Sequence, residues 1–186
     1  MKNLFACIAI VSTLVLSGCA TQPIPVNYAP SSIKSSAGSL SVSDFLYLPA
    51  SPNASKPYAS KMVATNQIRN TAMGAVMIDR DVSKFIRDAV FSELRVVGIK
   101  TNDSSKVLSG EIEEFLIDDL GYSIDWTLRI KYVLTETTSQ KVVFSSIKNT
   151  QRKTAKFANV FGALNETIKV NIEELIDDVE FARATR

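Results

Sequence analysis

The sequence predicts an α+β fold, a mainly antiparallel sheet of about four strands with two helices packed on one face. The order is strand, helix, strand, strand, strand, helix. Three observations predict it. Residues 123–135 alternate, with Ile124, Trp126, Leu128, Ile130, Tyr132 and Leu134 on one face and Asp125, Thr127, Arg129, Lys131 and Val133 on the other. That pattern belongs to an antiparallel strand with one dry and one wet side. Two other segments, around residues 82–97 and 158–181, repeat apolar residues at three- and four-residue steps instead, which gives each helix a stripe to bury.

The chain opens with a leader. Lys2 supplies a positive start, and residues 4–16 form an apolar run of about 13 residues, inside the window of a secretory signal and short of the roughly 20 residues that a membrane span needs. Leu16, Ser17, Gly18 and Cys19 follow, with small residues where a peptidase cleft closes on the backbone. An ordinary secretory signal with an incidental cysteine is the plainer reading. The four-residue box resembles the lipobox of bacterial lipoproteins. That resemblance implies cleavage between Gly18 and Cys19, removal of residues 1–18, a thioether-linked diacylglycerol on Cys19 and palmitate-type acylation of its new amino terminus. Two or more acyl chains hold a protein stably on a bilayer where one does not. Ala20, in place of Asp, implies sorting to the outer membrane, with the protein facing the periplasm.

Cleavage changes the inventory. Cys7 leaves with the leader and Cys19 is lipidated, so no thiol remains for redox chemistry or a disulfide. Removing Lys2 from the 21 basic residues leaves 20 against 19 acidic ones, with no basic excess to meet nucleic acid. Residues 19–38 read as a lipidated tether, since Pro23, Pro25 and Pro30 oppose helix and interior strand and a Ser-rich run follows. Extended, the stretch after Cys19 spans at most about 65 Å, far enough for a domain to work away from the bilayer. Ile24, Val26 and Tyr28 would also permit docking on a partner as an extended strand.

Residues 39–186 form the single folded domain. In residues 40–48, Leu40, Val42, Leu46 and Leu48 share one strand face, interrupted by Asp44, while Phe45 and Tyr47 take the other. Pro49, Pro52 and Pro57 mark a loop. Short strands around residues 66–70 and 75–78 bracket Gly74 at a bend, and Met62, Met73 and Met77 there read as core filler or as an adaptable binding surface. Asp79 or Asp81 caps the first helix, whose stripe is Val82, Phe85, Ile86, Ala89, Val90, Leu94 and Val97, and Gly98 ends it. Strands at 106–117, 123–135 and 141–150 come next, with Gly121 in the first turn and residues 137–140 forming the second. The last helix, about 158–181, carries Phe161, Leu164, Ile168, Ile172, Leu175, Ile176 and Val179, and residues 181–186 read as a frayed end.

These elements, with the lipobox, the tether, the run Asn66, Gln67, Ile68, the helix entered through Asp81, Val82, Phe85, Ile86, and the close on Phe181, Ala182, Arg183, resemble the YajG-type lipoproteins. More distantly, the layout is similar to the auxiliary lipoproteins of ABC-type envelope transporters. The resemblance implies a location and a scaffold, with no reaction attached.

The catalytic inventory is thin. No histidine is present, which removes the commonest general base and catalytic metal ligand, and no Gly-rich phosphate loop appears. No cofactor or metal is therefore expected. Ser145 with Lys148, and Ser31 with Lys34, match a Ser-x-x-Lys spacing that works on a helix and fails on a strand, where three residues separate opposite faces. Glu111 with Glu113, and Asp118, Asp119 and Asp125 around one turn, are the carboxylates from which glycan hydrolysis or a hard-cation site would be built; solvated surface acids are the bland alternative. Glu173, Glu174, Asp177, Asp178 and Glu180 read as the wet side of the last helix or as a surface for a basic partner. The expectation is a non-enzymatic binding or assembly module anchored through Cys19, accessory to an envelope transport or secretion complex, with an envelope protein or a second copy as partner and no nucleic acid. A carboxylate-dependent periplasmic hydrolase of glycan or lipid, or a hydrophobic-ligand carrier, is the alternative.

Overall fold

The computed structural model describes residues 22–52, 62–71, 75–156 and 159–186. Gly18, Cys19, Met73 and Gly74 lie outside the described residues. In chain order come β1 (Gly38–Ser39), β2 (Ser41–Tyr47), a 3-10 turn (Leu48–Ala50), β3 (Gln67–Asn70), β4 (Val76–Met77), α1 (Val82–Val96), β5 (Ile99–Lys100), β6 (Lys106–Asp118), β7 (Ser123–Glu136), β8 (Val142–Ala155), α2 (Val160–Ile176) and α3 (Val179–Ala184).

The α+β class holds, with a mixed sheet of six strands in place of a mainly antiparallel one of about four. β6, β7 and β8 form the expected antiparallel meander. β2 runs parallel to the first half of β6 and β3 parallel to its end, while β4 lies antiparallel to β3. The reason is connectivity. α1 intervenes between β2 and β6, and a chain that returns through a helix re-enters a sheet in the direction it left. β1 and β5 make a separate parallel pair.

α1 and α2 pack on one face. Phe85, Ile86, Ala89, Val90 and Leu94 of α1 share one buried core with Leu108, Ile112, Phe115, Trp126, Leu128, Ile130 and Tyr132 of the sheet. Asp81 occupies the N-cap of α1, yet its carboxyl takes Thr65 Oγ1 at 2.7 Å and Lys84 Nζ at 2.9 Å in place of a helix N–H. Gly98 ends the helix at φ +102°, where any Cβ would be strained and would stand 2.8 Å from the Ser36 carbonyl oxygen.

Five expectations are corrected. In β2 the pairing register shifts between Val42 and Phe45, so Leu40, Val42, Phe45 and Tyr47 are buried while Leu46 faces out and Asp44 is exposed. A bulge swaps the faces that strict alternation assigns. The last helix breaks in two at Asp177 and Asp178, because the Asp178 carboxyl caps a new start by accepting from the N–H groups of Glu180 and Phe181. Residues 181–186 are not frayed: Phe181 and Thr185 are fully buried, and the Phe181 ring lies 5.4 Å from that of Phe144. Val179 and Phe161, expected in the buried stripe, are 68% and 48% exposed.

The last correction concerns the tether. Residues 22–38 are extended, as their prolines require, but they lie on the body of the domain, with Val26 and Ser32 buried.

Candidate functional site

The N-terminal described segment, residues 24–36, is fastened along its length. Ile24 bridges Ile78 in parallel, its N–H donating to the Met77 carbonyl at 2.7 Å and its own carbonyl accepting from Asp79 N–H at 3.0 Å. The side-chain amide of Asn165 on α2 donates to the Asn27 carbonyl at 3.0 Å. The central fastening is Glu93 of α1, fully buried, which accepts from the Tyr28 hydroxyl at 2.6 Å and from the N–H groups of Ser31 at 2.9 Å and Ser32 at 3.2 Å. Burial, with Glu93 as acceptor, pushes the Tyr28 hydroxyl well above its ordinary pKa, so it stays a donor. Ser32 Oγ then donates to Glu173 at 2.7 Å, Lys34 pairs with Asp177 at 2.8 Å, and Ser36 N–H reaches the Val97 carbonyl at 2.7 Å.

Glu93 carries a signal in the sequence. It stands three residues after Val90 and four after Ala89, inside the apolar stripe of α1, where a charged residue demands buried partners. Asn171 gives the same signal in α2. Its side chain takes the Tyr132 hydroxyl at 2.9 Å and donates to the Leu128 carbonyl and to Thr150 Oγ1, which ties the helix to β7 and β8.

The acidic run of the last helices is only partly a wet face. Glu173 and Asp177 hold the N-terminal segment, Glu174 accepts from Thr150 Oγ1 at 2.9 Å, and Asp178 pairs with Lys148 at 2.6 Å. Burial pushes the Asp178 carboxyl up, but hydrogen bonds from Lys148 and from the N–H groups of Glu180 and Phe181 outweigh it and hold the group below the usual carboxylate range. Glu180 remains exposed, paired with Arg183.

The other carboxylates do not converge on a cavity. Glu111 pairs with Lys131 at 3.0 Å and Glu113 with Arg129 across the open face, Asp125 with Lys153 at 3.4 Å, and Asp119 with Lys156 at 3.3 Å. Asp118 accepts from Thr71 Oγ1 at 2.7 Å. A surface cavity of about 410 Å³ beside Trp126 contains Asp125 alone of this group, next to Arg152 and Lys153. Ser145 is exposed on the open face of β8 while Lys148 is bound to Asp178 on the helix side, and Ser31 and Lys34 are both engaged in the clasp. Among the described residues no group of three acidic side chains is placed to hold a metal ion. None of the described helices is long and apolar enough to cross a membrane. Met62 is exposed and Met77 half-buried, so neither fills the core.

No family model matches the chain, and no curated protein matches it. Among solved structures, protein XCC0632 from Xanthomonas campestris, of family DUF330, aligns with a TM-score of 0.57 at 14% identity, over 82% of this chain and 89% of that one. The protein CT253 from Chlamydia trachomatis aligns at 0.54 and 8% identity, over 80% of this chain and 99% of that one. Both show a shared fold and nothing further. Lipoprotein GNA1162 from Neisseria meningitidis aligns over 76% of this chain and 99% of that one at 10% identity, but its TM-score of 0.36 is too low to carry an argument.

Proposed function

We propose that this protein is a bacterial envelope lipoprotein, anchored through acyl chains on Cys19 to the outer membrane and facing the periplasm, where it works as a non-enzymatic binding or assembly module. The lipobox at residues 16–19 supports the anchor, and the resemblance to YajG-type and transporter-auxiliary lipoproteins supports an accessory role in transport or secretion. The observation that carries the mode of action is the clasp on residues 24–36. From Cys19 to Ile24, where the clasp begins, the chain reaches at most about 18 Å. The module is thus held close to the bilayer, and does not roam at the end of a long tether.

A hydrolase built on the acidic residues of the β6–β7 region finds little support, since most of these carboxylates face a cation. A hydrophobic-ligand carrier needs space between helices and sheet that Phe85, Phe115 and Trp126 fill. Cys19→Ser tests the proposal by fractionation of cells. The substituted protein is expected in the soluble fraction; retention of full membrane association would overturn the anchor.

A further inference from the structure

One end of the molecule collects exposed apolar side chains. The turn between β6 and β7 carries Leu120, 73% exposed, and Tyr122, wholly exposed, while the start of α2 carries Val160 and Phe161, 42% and 48% exposed. The topology sets these two places side by side. β8 pairs with β7 so that Ala155 stands opposite Ser123. The Lys156 ammonium then donates to the carbonyls of Asp119 at 3.4 Å and Gly121 at 3.3 Å, only three residues before Asn159, the cap of α2. Tyr122 and Phe161 are also the two aromatics among the large apolar side chains exposed in the described residues. Aromatic rings with one apolar and one wet side suit the layer where a bilayer meets water.

The N-terminal segment leaves the domain at this same end. Ile24 bridges Ile78 in parallel, so the path back from Ile24 runs beside β4 traced backward. β4 is antiparallel to β3, and β3 is parallel to the end of β6, with Asn70 beside Ile117. The way back therefore leads toward Asp118 and the β6–β7 turn. Pro25, Val26 and Asn27 line one open cavity of about 320 Å³ together with Phe161, Leu164 and Asn165, which sets the segment directly against the first turn of α2. Cys19 lies three residues before Gln22, a reach of at most about 11 Å.

We propose that this end of the domain rests on the bilayer, with Leu120, Tyr122, Val160 and Phe161 seated in the interfacial layer of the membrane that holds Cys19. The inference rests on the anchor of the proposed function and adds an orientation to it: the β6–β7 turn meets the lipid, and the β7–β8 turn, residues 137–140, points away. The contact is apolar, because Asp119 already offsets Lys156 and Asp125 offsets Lys153. Four side chains are too few to hold a protein on a bilayer alone. A tether this short keeps them at a high effective concentration beside the surface, where a weak contact is enough to set the orientation.

The test uses the mature lipidated protein reconstituted in vesicles of phosphatidylethanolamine and phosphatidylglycerol that contain a lipid with a nitroxide high on its acyl chain. With Cys7 removed and Cys19 acylated, one introduced cysteine carries an environment-sensitive dye. Dye on Leu120→Cys is expected to be quenched several-fold more than dye on Thr138→Cys, about 45 Å away along the 14 residues of β7. Adding Tyr122→Ser and Phe161→Ser to the Leu120→Cys chain should lower its quenching toward the Thr138 level, and high salt should leave it unchanged. All four positions are exposed, so the fold should survive, and circular dichroism verifies it. Flotation with the vesicles scores the anchor separately. Floating protein whose Leu120 and Thr138 dyes are quenched alike, whose Leu120 quenching ignores the serine pair, or whose quenching vanishes in high salt would overturn the orientation and leave the anchor standing. A Leu120 dye shielded from water but untouched by the nitroxide lipid would give the patch to a protein contact and overturn it too. Protein that fails to float would remove the anchor, and this inference with it.

Discussion

The two ends of the folded chain look alike in sequence and are held by opposite physics. Residues 19–38 read as a tether and residues 181–186 as a frayed end, yet the described part of the first, residues 22–38, and the whole of the second are docked. The N-terminal segment is polar, and its fastening is a series of hydrogen bonds centred on Glu93. The C-terminal helix is short, and its fastening is one aromatic plug, Phe181 against Phe144. The ends also touch: Ser39 N–H donates to the Thr185 carbonyl at 2.8 Å, and Lys106 reaches the Ala184 carbonyl at 2.8 Å. The difference teaches where each end fails. A plug is all or nothing, because its removal leaves a hole that the core cannot fill. A clasp releases into water, where the freed N–H and hydroxyl groups find new partners.

The largest effect is therefore expected at the plug. Phe181→Ala should destabilise the domain by about 4 kcal/mol through lost burial and the cavity left behind, measured by urea unfolding. Should the loss be below about 1 kcal/mol, the plug would be no more than a lid. Glu93→Ala should cost about 2 kcal/mol, less than three buried hydrogen bonds would imply, because the released segment is rehydrated. Its sharper signature is local: residues 22–38 should become accessible to protease while the sheet stays protected. Global unfolding without that local step would erase the distinction between the two ends.

The smallest expected effect concerns pH at the seam where the ends meet. Hydrogen bonds from Ser39 and Ser105 hold the Asp103 carboxyl down at about 2, against 3.8 for the free group. Its folded-state pKa lies below the unfolded one, so its contribution is complete above about 3.8 and is lost as pH falls toward 2. Ser39→Ala should flatten the acid limb of the stability curve in that window, as seen in acid titration at fixed urea. An unchanged limb would mean that Ser39 does not tune the group.

Much of the body is legible residue by residue. The alternation from Ile124 to Leu134 gives the buried face of β7 without exception, and the stripe from Val82 to Leu94 gives that of α1. The failures share one cause. At Leu46 a one-residue shift inside β2 reverses the faces, and nothing local marks it. At Asp178 a carboxyl that reads as surface charge instead starts a new helix. At Glu93 and Asn171 a polar residue in an apolar stripe announces a buried partner without naming it. The carboxylates of the candidate hydrolase site were found as residues, but their cations, Arg129, Lys131 and Lys153, come from neighbouring strands.

By itself the sequence determined what depends on neighbours a few residues apart: the alternating strands, the two helical stripes, and the absence of histidine. These signals are local because periodicity and side-chain chemistry act within one element. Only the tertiary structure decided what depends on residues brought together from afar. Tyr28 meets Glu93 from 65 positions away and Ser32 meets Glu173 from 141, and these contacts lay a segment that reads as a tether onto the body of the domain. The same holds for the sheet, where the path of the whole chain sets β2 and β3 parallel to β6 beside an antiparallel meander. A polar segment shows no preference for water or for a partner until the partner's donors and acceptors are in place.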